Sequence, residues 1–173
     1  MISKADQLAE EILRKTGTYR VPVPVEIVAH RLNLTTEASP PGDNVSGILV
    51  VENDRGAISY NSSHARVRQR FTVAHEIAHY ILHLKKNRRS QLFIDQFVIF
   101  RRDANSSTGN DKEEREANRF GAALVMPLTL VRKEIKKHAI DLDDEDALVL
   151  PARRFRVSTV AMTYRLNTLG LLR

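Results

Sequence analysis

Phe71-Thr72-Val73-Ala74-His75-Glu76-Ile77-Ala78-His79-Tyr80-Ile81-Leu82 is the stretch on which the reading of this chain turns. Val73, Ile77, Ala78, Ile81 and Leu82 recur at helical spacing, so the segment reads as a half-buried helix, extended to about residues 64–84. Residues four apart lie on one helix face a turn from each other, and the imidazoles of His75 and His79 can therefore reach one cation. Glu76 leaves the helix in an adjacent direction, within reach of a water held by that cation. Zinc with three protein ligands keeps one position for water and lowers its pKa to about 7. A neighbouring carboxylate can take the proton during attack on a peptide carbonyl and pass it to the leaving amine. The pattern points to a zinc-dependent endopeptidase, with His75 and His79 as ligands and Glu76 as general base. Chance would produce an H-E-x-x-H in roughly one or two per hundred chains of this composition, so the apolar stripe around it adds real specificity.

The third ligand is less direct. His83 continues the four-residue series, but helix drift carries it away from a site centred between His75 and His79, and it is expected to pack behind them. The glycine that turns the chain after the second histidine in metzincins is missing, since the residues there are Tyr80-Ile81-Leu82. A glutamate from another helix fits better, and Glu113, Glu114 and Glu116 are available. Asn118, four residues after Glu114, could support a ligand histidine. Asp111-x-x-Glu114 equally fits a helix capping box, so spacing alone leaves the choice open.

Working outward, helices are expected over residues 5–14 and 24–32, then a loop at 39–44. Strands at 45–51 and 57–60 form a hairpin about Asn53-Asp54-Arg55-Gly56, with Gly56 in the left-handed position. Asn61-Ser62-Ser63 offers N-cap oxygens to the motif helix. A strand at 92–100, a polar loop at 102–110, and helices at 111–125 and 127–138 follow. An acidic stretch, 141–146, precedes short C-terminal helices with a boundary at Pro151. In that last part Phe155, Val157, Ala161 and Leu166 read as core and Ser158 as an N-cap, ringed by Arg153, Arg154, Arg156 and Arg165. The expected class is α+β, with a small mixed or antiparallel sheet. The expected organisation is a peptidase domain at 1–140 and a helix-turn-helix-like subdomain at 141–173. The strand at 45–51 is expected to offer an edge to an extended peptide. Tyr60 and Tyr80 are expected to pack, and His30, His64 and His138 to lie at the surface.

The chain has 173 residues, enough for one domain with a small appendage. It has no cysteine, which excludes disulfides and thiolate metal sites and leaves His, Asp and Glu as ligands. No run approaches the ~20 apolar residues of a membrane span. The opening Met1-Ile2-Ser3-Lys4-Ala5-Asp6 lacks a signal-peptide core, so a soluble cytoplasmic protein is expected. The net charge of +6 suits acidic partners, weak nucleic-acid contact included, or else a solvated basic surface.

Arg70 to His83, then Glu114-Arg115-Glu116-Ala117-Asn118-Arg119-Phe120, then Leu124-Val125-Met126-Pro127, closely resemble the ImmA/IrrE family of metallopeptidases. Ser46-Gly47-Ile48-Leu49 and Ile58-Ser59-Tyr60-Asn61 resemble that family's hairpin, and Arg154 to Leu171 its ending. The likeness covers roughly residues 20–172. Gly121 and Val125 depart from it, standing where Ala and Leu are commoner, and Pro151 is unusual. The resemblance implies a zincin-like fold and makes Glu114 the third metal ligand. It also implies zinc as cofactor, with manganese or iron as substitutes. The protein partner it implies is a helix-turn-helix repressor or antitoxin, cleaved to release stress or mobile-element genes. The competing expectation is a metal-binding transcriptional regulator that binds nucleic acid or a repressor without proteolysis.

Overall fold

In the computed structural model, residues 3–39, 45–52, 55–84, 91–95, 109–144 and 146–172 are described. The chain divides into two compact units, Val25–Gly121 and the combination of Met1–Pro24 with Ala122–Arg173.

The unit Val25–Gly121 is α+β. It contains α2 (Val25–Arg31), β1 (Leu34–Ser39), β2 (Gly47–Glu52), β3 (Arg55–Asn61), α3 (Arg66–His79), β4 (Gln91–Asp95) and most of α4 (Gly109–Val125). The sheet runs β1-β3-β2-β4. β2 and β3 form the expected antiparallel hairpin, β4 adds antiparallel to β2, and β1 lies parallel to β3. Side chains alternate across the pleat, so Leu49, Val51 and Ile58 are buried while Val50 faces outward. Ala74, Ile77 and Ala78 of α3 are fully buried in the same unit, and α3 touches both β2 and β3. The motif helix meets β2 through the face that carries Thr72 and Glu76, both fully buried.

Several local expectations change. β1 was not anticipated, because Leu34-Thr35-Thr36-Glu37-Ala38-Ser39 has one buried residue and no apolar alternation. Gly56 is not a left-handed turn residue. It sits in β3, where a Cβ would stand 2.7 Å from Leu34 Cδ2 and 2.9 Å from the Val50 carbonyl oxygen, so close packing requires the glycine. β2 offers no free edge to a peptide, since β3 and β4 occupy both sides. Asn61 does not cap α3; its Oδ1 accepts from Ser63 N, and the cap position is Ala65, without a side-chain bond. The expected long helix ends as α-helix at His79 and continues as a π-helical turn, Tyr80–Leu84. β4 covers the start of the expected 92–100 strand, and the rest lies outside the described residues, as do 40–44, 53–54 and 101–108.

The other unit is helical: α1 (Lys4–Lys15), the end of α4, α5 (Leu128–His138), a 3-10 turn at Asp146–Leu148, α6 (Val149–Phe155) and α7 (Thr159–Thr168). Ala9 and Leu13 join Val131, Phe155, Met162 and Leu166 among its fully buried residues. Ser3 caps α1 and Ser158 caps α7, each accepting from the backbone N–H three residues on. Pro151 lies within the first turn of α6, where a missing N–H leaves no helical bond unmade, so the boundary falls just before it. Arg165 is not part of an exposed basic ring. It is buried, its guanidinium donating to Asp6 Oδ1 and to the Met126 carbonyl at 3.1 Å. Arg154 is likewise engaged, pairing with the buried Glu134.

Candidate metal centre

α3 carries His75 and His79 one turn apart, both almost wholly buried. Their Nε2 atoms stand 3.0 Å from each other. Glu114, in the second turn of α4, brings Oε2 to 3.2 Å from His75 Nε2 and Oε1 to 3.0 Å from His79 Nε2. One ligand atom from each of the three residues thus falls within 4.8 Å of the others, the only such His/Asp/Glu group among the described residues. Ligand atoms around a tetrahedral zinc stand about 3.3 Å apart, given ligand distances of about 2.0–2.2 Å. The spacing here is close to that figure, and two imidazoles with one carboxylate is a donor set suited to a catalytic zinc. The residues fit a divalent ion.

Burial would raise the Glu114 pKa, but hydrogen bonds and charge from His75 and His79 outweigh it and hold the carboxyl well below its ordinary value of 4.5. Its side chain remains 36% exposed, so the glutamate forms the solvent side of the cluster while the histidines form its floor. Glu76, next along the helix, is rotated about 100° from His75 and is fully buried. Its carboxylate lies against β2, close enough that a Cβ on Gly47 would stand 2.7 Å from Oε1.

Of the three candidate glutamates, only Glu114 meets the histidines; Glu116 instead faces Lys112 at 4.0 Å. Asp111 lies inside α4 rather than at its cap. The ring of His83 is 5.5 Å from that of His79, and His83 is not in the converging group. Sequence reasoning missed two glycines. Besides Gly47, Gly121 brings α4 against the backbone of α3, where a Cβ would stand 3.3 Å from His75 N. Gly121 is two helical turns beyond Glu114, with buried Ala117 between them, so one face of small residues lets the glutamate approach. That spacing was visible in the chain, although its partner helix was not.

Two histidines on a helix that rests on a small mixed sheet, met by a glutamate from a second helix, make a metallopeptidase-like domain. The chain belongs to the Peptidase M78 family, whose model, described as the IrrE N-terminal-like domain, matches residues 25–167. Among solved structures, a Mycobacterium tuberculosis transcriptional regulator is similar in fold, with a TM-score of 0.63 at 15% identity. The match covers 96% of this chain and 47% of that one, so the chain spans about half of its length. No curated protein is significantly similar to the chain. No helix among the described residues is long and apolar enough to cross a membrane.

Proposed function

We propose that this chain is a zinc-dependent endopeptidase in which His75, His79 and Glu114 hold the ion and Glu76 is the general base. The convergence of two Nε2 atoms and the Glu114 carboxylate, with Glu76 adjacent on the same helix, is the observation that carries this reading. Manganese or ferrous iron would suit the same donors. When bound, the ion acts as a Lewis acid that acidifies water and polarises a peptide carbonyl. Glu76 takes the proton of the attacking water and delivers it to the amine nitrogen as the C–N bond breaks. The partly exposed Glu114 side is where a peptide enters, and the buried histidines shield the opposite side from solvent.

The substrate we propose is a cytoplasmic helix-turn-helix repressor or antitoxin, whose cleavage releases stress or mobile-element genes. Family membership supports a protein substrate. The C-terminal helices within 141–173 are proposed as a helix-turn-helix-like subdomain that docks it. Glu76→Gln removes the base and leaves all three ligands. Turnover of a co-encoded repressor should fall about 10²–10⁴-fold, with metal content by elemental analysis unchanged. Undiminished cleavage by Glu76→Gln would end this mechanism.

The name of the structural neighbour favours a second reading, a metal-binding transcriptional regulator without proteolysis. Salt-dependent duplex binding by the Glu76→Gln protein, with no repressor cleavage by the wild type, would select it.

A further inference from the structure

We infer that Gly47 is a positioning residue for Glu76: the absence of a side chain at the first residue of β2 gives the carboxylate its place. This rests on the reading of Glu76 as general base. Gly47 is buried within the sheet, paired with Tyr60 on one side and Asp95 on the other. Among the described residues the glycines with positive φ are Gly17 and Gly170, so backbone conformation does not require glycine at position 47. Space does. A Cβ there would stand 2.5 Å from Thr72 Cγ2 and 2.7 Å from Glu76 Oε1.

Thr72 and Glu76 are one turn apart on α3 and face β2 together, whereas no atom of His75 or His79 is among the three nearest to that Cβ. Thr72 is fully buried and β-branched, with few rotamers open to it in a helix. Glu76 is also fully buried, but its longer stem has more torsions and is the part that yields. A methyl group at position 47 therefore moves the base and leaves the ligands where they are. Gly56 supplies an internal comparison. It is equally crowded in the same sheet, yet the atoms near it belong to Leu34, Val50 and Val51, none of which has a chemical role.

The test compares Gly47→Ala, Gly56→Ala and Gly47→Ala/Thr72→Ser in the full chain loaded with zinc. Zinc affinity is measured by chelator competition, the Glu76 position by crystallography, and kcat and KM on the cleaved repressor. In Gly47→Ala we expect the Glu76 carboxylate displaced by about 1 Å with both imidazoles in place, and kcat lowered roughly 10–100-fold at nearly constant KM. Zinc affinity should stay within about threefold, because outer contacts to a ligand, not to the base, are what change affinity tenfold or more. Thr72→Ser removes the clashing methyl and should restore part of kcat. Gly56→Ala should lower thermal stability without moving Glu76 or kcat. An unmoved Glu76 in Gly47→Ala, zinc affinity falling in step with kcat, or the same kcat loss in Gly56→Ala would each overturn the inference. Should Gly47→Ala not fold, the double variant carries the test, and a wild-type position of Glu76 there with full kcat loss would count against it. If the wild type cleaves nothing, the peptidase reading fails, while the crystallographic comparison still decides what Gly47 does.

Discussion

Two polar clusters, one in each unit, are built from comparable parts and end differently. In the helical unit the Asp6 carboxylate meets the Arg165 guanidinium, which also donates to the Met126 carbonyl. Anion, cation and acceptor complete one another within the protein. In the unit Val25–Gly121 one carboxylate, Glu114, meets two imidazoles, and all three can donate an electron pair to a cation. A divalent cation would complement that set. Buried polar groups cost stability unless matched, so a set whose natural complement is external marks a place kept for chemistry. A set complete in itself marks architecture, and it takes Arg165 out of the exposed basic surface.

Disrupting the proposed metal ligands should have the largest effect. A bound zinc in small domains contributes about 10–16 kcal/mol over its ligands, so His79→Ala or Glu114→Ala should weaken metal binding by roughly three orders of magnitude. Arg165→Met should leave it unchanged, as competition titration would show; a parallel loss would mean the two clusters are not independent. Next, Arg165→Met leaves the buried Asp6 charge with the Ser3 hydroxyl but without its cation, and should cost about 3–5 kcal/mol in urea unfolding. Adding Asp6→Leu should recover most of that, and a double variant as unstable as the single would refute the self-contained pair. Metal at a hundredfold excess over its Kd should stabilise the wild type by about 2.7 kcal/mol. Arg165→Met should keep that increment and Glu114→Ala lose it. The smallest effect is in acid. Glu114 is held below its ordinary 4.5, so its contribution to folding is present above that pH and is lost as pH falls through the depressed value. In metal-free protein, Glu114→Gln should therefore show a shallower loss of stability below about pH 4.5 than the wild type.

The clusters also differ in how far the chain alone revealed them. His75 and His79 were legible because their spacing is the helical repeat itself, and Glu76, the proposed base, because it lies between them in the same motif. Glu114 was one of three possibilities by spacing, and only family likeness singled it out; the structure brings it to the histidines. Asp6 and Arg165 carry no mutual signal at all, being at opposite ends of the sequence. β1 escaped because its polar residues lack alternation, and Gly56 was read as a turn because its crowding by Leu34 and Val50 depends on strands not yet placed.

The local code, meaning periodicity, capping serines and residue chemistry at i and i+4, determined the helices, the hairpin, the two histidines and the kind of ion they suit. Such features involve neighbours along the chain, whose geometry the helix or strand repeat sets in advance. Tertiary structure alone brought Glu114 to the two histidines, crowded residue 47 against Thr72 and Glu76, and placed Arg165 in the core. Those depend on distances between segments far apart in sequence, which come into being only when the segments pack.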